Sequence, residues 1–235
     1  RILMKKIIIS FVLLSFCFVL SSCKERTLDD IMKDGKIIVA TNAEFPPFEY
    51  LDGDTITGFD IDLIKLYAKY LGVDIEINNI DFDGALLSVS SNKADLVIAG
   101  VTKNEKREQS LSFSNGYFSA SQVVIVKKNS NISGTTIEEI RESLSQNNAT
   151  IGAQAGTVGE YYAKGDSDWD FEIIPNTICQ TYDNGALAIK ALNNGQIDAV
   201  IIDKLPAIEL TKSYSELQIL DTTFCLLYTS DAADE

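Results

Sequence analysis

The chain contains no histidine, only four cysteines and four prolines, and 20 lysines and arginines against 34 aspartates and glutamates. The missing histidine excludes Ser–His and Cys–His nucleophilic catalysis and histidine-ligated metals. A formal net charge of −14 argues against a nucleic-acid partner, which requires a basic surface. The cysteine spacing matches neither a metal site nor a disulfide framework. We therefore expect no metal, no cofactor and no nucleic acid. The 46% apolar content is enough for the core of one or two domains.

The N-terminal residues have the pattern of a targeting signal. From Met4, Lys5 and Lys6 precede an apolar run at 7–20 that is too short to span a membrane. The following Leu-Ser-Ser-Cys ends at Cys23 and resembles the bacterial lipobox. We expect residues 1–22 to be a lipoprotein signal peptide and 23–34 a tether lipidated at Cys23. A plain signal peptide or an uncleaved anchor are the alternatives.

Helical and strand patterns alternate along the first half of the mature chain. Helices are predicted at 60–72, with Asp60 as the N-cap and Gly72 as the stop, and at 83–91. Apolar or alternating stretches predict strands at 36–41, 73–80 and 95–100. This order favours a parallel α/β sheet with helices on its faces.

Helical and strand patterns also alternate along the second half of the chain. Thr136 and Glu139 form a capping box that opens a helix, and a second helix is predicted at 184–195. Strands are predicted at 121–128, 150–154, 171–175 and 198–203. We therefore expect two lobes, 35–122 and 123–204, with joints near 120–128 and 203–207. Residues 205–224 should begin the return to lobe 1. Residues 225–235 are expected to be a non-native tail on a truncated chain.

Chemistry-bearing residues cluster where the predicted strands end. In open α/β sheets, ligands bind in the crevice outside the carboxyl ends of the strands. The stretches at these ends are TNAEFPPFEY (41–50), IDFDG (80–84), AGVTKNEKR (99–107), QAGTVGEYY (154–162) and VIIDKLP (200–206). Phe48, Tyr117 and Phe118 are expected to pack in the core. The charged residues around Arg107 are expected to form a solvated helix face: Lys103, Glu105, Lys106 and Glu108.

Several of these stretches together resemble the bacterial extracellular solute-binding proteins of family 3, the amino-acid receptors of ABC importers. The matching motifs are FPPFEY, GFDIDL, DLVIAGVTKNEKR, FSNGYF, GAQAGTVGEYY and DAVIID, in family order from about residue 35 to 210. The resemblance implies a type II periplasmic-binding-protein-like fold. In such a fold two α/β lobes, joined by two hinge crossovers, close on one small ligand.

The resemblance also implies a set of ligand-binding positions: Asn42, Phe45, Phe82, Gly100, Thr102, Arg107, Gln154, Thr157, Val158 and Asp203. Arg107 would bind the ligand carboxylate with its guanidinium fork, and Asp203 would accept from the ligand amino group. Phe45 and Phe82 would sandwich the ligand side chain. Asp203 and Thr157 have an alternative role as helix caps.

The remaining positions would contact either the carboxylate or the side chain of the ligand. Thr102 and the backbone of Gly100 would add donors to the carboxylate, together with Thr157 and the amides that follow it. Asn42 and Gln154 would face the ligand side chain. An amide side chain such as that of glutamine suits them, and a basic side chain stacked on the aromatic rings is the alternative.

The resemblance implies an exported, lipid-anchored, monomeric receptor in the periplasm or at the cell surface. It would capture a polar or basic α-amino acid and deliver it to an ABC permease without making or breaking a bond. Two alternatives stay open. One is an enzyme on the same scaffold, a dehydratase or lytic transglycosylase that uses Glu44 or Glu49 as its acid. The other is the sensing lobe of a signalling receptor.

Overall fold

The computed structural model describes residues 26–229 and 232–233. The expected signal peptide and Cys23 lie outside the described residues. Within the described part of the chain, no helix is long and apolar enough to cross a membrane.

The first lobe is a five-stranded sheet with helices on both faces and a small antiparallel sheet beside it. The main sheet has the order β5-β1-β6-β13-β7, with β5, β1 and β6 parallel. The helices are α1 (Leu28–Asp34), α2 (Phe59–Leu71) and α3 (Phe82–Ser90). The strands are β1 (Lys36–Thr41), β2 (Glu44–Phe45), β3 (Glu49–Asp52), β4 (Thr55–Thr57), β5 (Asp74–Asn79), β6 (Leu96–Val97) and β7 (Ser112–Phe113).

The second lobe repeats this architecture. Its sheet has the order β10-β9-β11-β8-β12, with β8 antiparallel to β11. The helices are α4 (Ile137–Gln146), α5 (Val158–Lys164), α6 (Gly185–Asn193) and α7 (Lys204–Thr211). The strands are β8 (Phe118–Lys127), β9 (Thr150–Gln154), β10 (Ile178–Tyr182), β11 (Ala199–Asp203) and β12 (Leu217–Thr229), and β13 (Ala232–Ala233) returns to the first sheet.

Each of the two main sheets has a hydrophobic core on both faces, so its central strands are mostly apolar. In lobe 2, successive residues of β8 point to opposite cores. Val124 packs towards Leu144 of α4, while Ile125 packs towards Ile189 of α6. The alternation follows from the two-residue period of a strand. Two cores per lobe hold the strand ends, where the loops emerge, in fixed positions.

The predicted two-lobed α/β architecture is confirmed, and most predicted elements lie within a few residues of their expected bounds. The capping box of Thr136 and Glu139 is present, with the Glu139 N–H 3.2 Å from Thr136 Oγ1. The lobe limit at 122/123 stays a prediction, because β8 runs across it. The foreign origin of 225–235 also stays a prediction; part of that segment continues β12.

Three local predictions are wrong. Residues 171–175 form no strand, because only Phe171 makes a bridge, to Asp166. The charged run after residue 102 is not a helix; it contains a single 3-10 turn at Arg107–Gln109. Asp60 is not an N-cap, because α2 begins at Phe59 and the Asp60 carboxylate turns inwards to other partners.

Candidate functional site

The carboxyl ends of the strands in both lobes meet around one cavity. All ten predicted ligand-binding residues line it, and two others, Glu49 and Ala99, complete the wall. The lining residues are Asn42, Phe45, Glu49, Phe82, Ala99, Gly100, Thr102, Arg107, Gln154, Thr157, Val158 and Asp203. The arrangement follows from topology, because parallel strands present their carboxyl ends at the same edge of a sheet.

Arg107 brings a positive charge to the cavity from lobe 1. Its Nη1 donates to the carbonyl of Thr102 at 2.6 Å, and its Nη2 donates to the carbonyl of Gly156 in lobe 2 at 3.0 Å. The guanidinium carbon lies 5.6 Å from the ring centre of Phe82 and 5.1 Å from that of Trp169. Burial lowers the pKa of Arg107 to about 10, so the group stays cationic at neutral pH. Among the described residues no carboxylate forms a salt bridge with it.

Asp203 brings the opposite charge from lobe 2. It ends β11 and occupies the N-cap position of α7, but its side chain makes no capping hydrogen bond. Instead it accepts from Gln122 Nε2 at 2.8 Å. Burial raises the pKa of Asp203 to about 6. An ammonium group is the natural partner for this carboxylate, since its negative charge is otherwise poorly compensated.

The aromatic walls come from lobe 1. Phe45 lies on β2 and stacks on Phe48 with ring centres 5.9 Å apart, while Phe82 begins α3. Gly100 fits close against Phe45: it has φ +57, and a Cβ there would lie 3.1 Å from Phe45 Cε1. Phe48 is buried, as predicted.

Gly100 does not offer the backbone donor that was expected. Its N–H donates to Asp60 Oδ2 at 2.9 Å and is therefore used within lobe 1. Asp60 also accepts from the hydroxyl of Tyr117 at 2.8 Å. The turn at Gly100 is thus fixed from behind by a buried carboxylate.

Asn42 and Gln154 line the cavity but bond to each other across the cleft. Gln154 Nε2 donates to Asn42 Oδ1 at 2.9 Å, and Asn42 Nδ2 donates to the carbonyl of Ile80 at 2.9 Å. Their polar groups are therefore partly engaged in joining the lobes, which weakens the expectation that they mainly recognise an amide side chain.

Thr157 stands at the N-cap position of α5 but does not cap it with its side chain. Its hydroxyl donates to the carbonyl of Gln154 at 2.8 Å. Val158, the first residue of α5, is buried at the cavity wall. Thr102, on the opposite lobe, is also buried there.

Three features of the site were missed in the sequence. Glu49 was considered only as an enzyme's acid, yet it is fully buried at the cavity wall. Trp169 stacks on Arg107 from lobe 2. Lys106, expected to be solvated surface, forms a salt bridge across the cleft to Asp168 at 2.5 Å. An acidic residue between aromatic residues was the available signal for Glu49; nothing local marks the other two.

The described residues hold no cluster of three or more groups that could bind a metal ion. Cys179 is free, and burial raises the pKa of its thiol to about 11.

A cavity between two α/β lobes, with a cation from one lobe and a carboxylate from the other, defines a two-lobed small-molecule-binding protein. Residues 37–188 match the bacterial extracellular solute-binding proteins, family 3. The arginine-binding extracellular protein ArtP of Bacillus subtilis is 30% identical over 217 residues, covering 92% of this chain and 79% of ArtP. The chain belongs to this family, as its motifs indicated.

Solved structures agree in fold. The amino acid ABC transporter substrate-binding protein AbpA from Streptococcus pneumoniae, bound to L-arginine, has a TM-score of 0.78 at 33% identity, covering 88% of this chain and 84% of AbpA. The arginine-bound form of truncated ArgBP from T. maritima has a TM-score of 0.76 at 32% identity, covering 88% of this chain and 92% of that one. The predicted periplasmic-binding-protein-like fold is confirmed.

Proposed function

We propose that this protein binds an α-amino acid in the cavity between its lobes, as the substrate-binding component of an ABC importer. The observation that carries the proposal is the placement of Arg107 and Asp203 on opposite lobes of one cavity. Neither forms a salt bridge among the described residues, and an amino acid supplies a carboxylate and an ammonium on one carbon. Charged hydrogen bonds to both groups are worth about 1.5–3 kcal/mol each.

We propose further that the ligand side chain is basic, with a polar side chain such as that of glutamine as the alternative. Glu49 places a carboxyl group at the cavity wall, and Phe45 and Phe82 offer ring faces for the aliphatic part and the cation of the side chain. Because Asn42 and Gln154 are hydrogen-bonded to each other, their amide groups are less available to bind an amide side chain of the ligand. ArtP, AbpA and ArgBP, the relatives described above, are named for arginine or hold it, which supports the same choice.

The cellular setting is proposed with the function. The family is extracellular, and the lipobox-like end of the signal sequence supports a lipid anchor on Cys23, with the mature protein exported as a monomer that docks on a permease. The relatives described above are binding proteins, and binding rather than catalysis is the activity we propose.

Isothermal titration calorimetry of the purified protein against the twenty amino acids tests this function. We expect one or a few basic or polar amino acids to bind, and Arg107→Ala to weaken that binding by about a hundredfold or more, since a bidentate charged contact is lost. Arg141→Ala is the matched control, because Arg141 lies on α4, over the ring of Tyr162 and away from the cavity. The proposal would be refuted if none of the twenty amino acids bound. It would also be refuted if Arg107→Ala had a normal melting temperature and an unchanged affinity.

A further inference from the structure

Two carboxyl groups lie buried side by side behind the first lobe's wall of the cavity. Glu49 begins β3 and Asp60 is the second residue of α2, and both side chains are fully buried. The two groups lie within hydrogen-bonding reach of each other. Both are near Gly100: its N–H is 2.9 Å from Asp60 Oδ2, and a Cβ there would lie 3.9 Å from Glu49 Oε1. Neither is among the residues that bind the two charged ends of the ligand in the proposed function.

The hydrogen bonds around the pair require a proton between the two groups. Asp60 Oδ2 accepts from the Gly100 N–H at 2.9 Å and from the Tyr117 hydroxyl at 2.8 Å. With both acids ionised, Asp60 Oδ1 and both Glu49 oxygens have no donor among the described residues. Two carboxylates cannot bond to each other, so one acid must supply the donor. Because Asp60 already holds two donors, the negative charge belongs on Asp60 and the proton on Glu49.

The surroundings of Glu49 also favour its protonated form. Burial, then the charge of Asp60 and the hydrogen bond to it, then the charge of Asp203 raise the pKa of Glu49 well above its ordinary value. Tyr117 is a neutral donor to Asp60. The cation of the cavity, Arg107, is held by the carbonyls of Thr102 and Gly156 and is not a partner of Glu49. Glu49 therefore faces two carboxylates and no protein cation.

We propose that Glu49 and Asp60 hold one proton between them until a cationic ligand side chain enters the cavity, and that this proton leaves Glu49 for the solvent when such a ligand binds. The bond that breaks is the O–H of Glu49, and the ligand's positive charge replaces the proton. A ligand with a neutral side chain provides no such charge and leaves the proton in place. The inference rests on the proposed amino-acid-binding function.

Calorimetry in two buffers of different ionisation enthalpy, phosphate and Tris, counts the protons released at one pH. Arginine and citrulline are the ligand pair, because citrulline replaces the guanidinium with a neutral urea and keeps the chain length. Contacts to Arg107 and Asp203 are common to both ligands, so their proton changes cancel in the comparison. We expect arginine to release up to one proton more than citrulline, and its affinity to rise with pH by up to tenfold per unit while Glu49 starts protonated.

The variant Glu49→Gln keeps the shape and a donor towards Asp60 but carries no ionisable proton. It should abolish the difference in proton release and reduce the preference for arginine over citrulline by about tenfold or more. Glu44→Gln, a partly exposed neighbour on β2, should change neither. Equal proton release for both ligands in the unmodified protein overturns the inference. Binding of only neutral amino acids also overturns it but leaves the amino-acid-binding function standing, whereas no binding of any amino acid overturns both.

Discussion

At the scale of single residues, the site holds charges that the folded protein does not compensate by itself. Among the described residues, Asp203 accepts hydrogen bonds only from neutral donors, Gln122 Nε2 and its own backbone N–H, and burial raises its pKa to about 6. Between the ordinary value of 3.8 and 6 the folded protein therefore binds more protons than the unfolded chain. The free energy of unfolding falls as pH rises through this window, so the ionised carboxylate lowers stability at neutral pH. Function and stability place opposite demands on this residue.

This conflict can be measured with Asp203→Asn. At pH 7.5 and without added ligand, the variant should melt at a higher temperature than the unmodified protein, because it removes a buried charge and keeps an acceptor for Gln122. It should also lose amino-acid affinity by about tenfold or more. Differential scanning calorimetry and titration calorimetry give the two values, with Asp54→Asn in the exposed β3–β4 turn as the control. A lower melting temperature combined with intact binding would contradict this account.

At the scale of elements, amphipathic patterns with caps were predicted well and buried loops were not. Helix α4 shows both the capping box and the spacing of Ile140 and Leu144. The wrong strand at 171–175 is apolar for a different reason: Ile174 is fully buried as an anchor within a loop, while Ile173 is 64% exposed. Strand β10, which pairs with β9, begins only at Ile178. Composition alone does not distinguish an apolar loop from a strand.

The same distinction applies to the site. The strand ends, and with them Arg107 and Asp203, were predictable because topology brings them to one edge. The contact of Trp169 with Arg107 and that of Glu49 with Asp60 were not, because each depends on how a turn packs against a distant element. Contacts between side chains of distant elements are determined by three-dimensional packing. The local periodicity of the sequence contains no information about them.

The turn before α5 must come close to α3 when the lobes meet. Gly156 has φ +74, and a Cβ there would lie 1.8 Å from Asp83 Oδ1 of the other lobe. Gly156→Ala should therefore weaken ligand binding by about threefold to tenfold, because the Asp83 side chain must turn away before the lobes can meet. Gly72→Ala is a matched control: its φ is +72 and a Cβ there meets nothing within 4 Å, so it carries the backbone strain alone. Equal affinity losses in the two variants would show that strain, not closure, is responsible.

At the scale of the whole molecule, few polar contacts join the lobes across the cleft within the described part of the chain. They are the bond from Arg107 to Gly156, the bond from Gln154 to Asn42, and the salt bridge from Lys106 to Asp168. The first two surround the cavity, and the third lies at the exposed rim. We therefore expect the ligand to add its own bonds to a small existing set and to shift the population towards the closed arrangement of the lobes.

The rim salt bridge should contribute little and only at low salt. Lys106→Gln is expected to weaken ligand binding by less than about fivefold, and the difference should disappear in high-salt buffer because exposed charges are screened. Lys103→Gln is the matched control, since Lys103 pairs at a similar exposure with Glu108 of its own lobe. Titrations at two salt concentrations separate the cases. A large loss that persists at high salt would mean that Lys106 has a role beyond the rim.

The stacking of Trp169 gives the molecule an optical property. Trp169 is the chain's single tryptophan, and its ring lies against Tyr161 of its own lobe, with ring centres 5.3 Å apart, and 5.1 Å from the guanidinium of Arg107 on the other lobe. Separation of the lobes removes the cation from the indole and leaves its aromatic neighbours of the same lobe, Tyr161 and Phe171, in place. The wavelength and intensity of the tryptophan fluorescence should therefore change with the distance between the lobes, so that opening and closing can be followed without an attached dye.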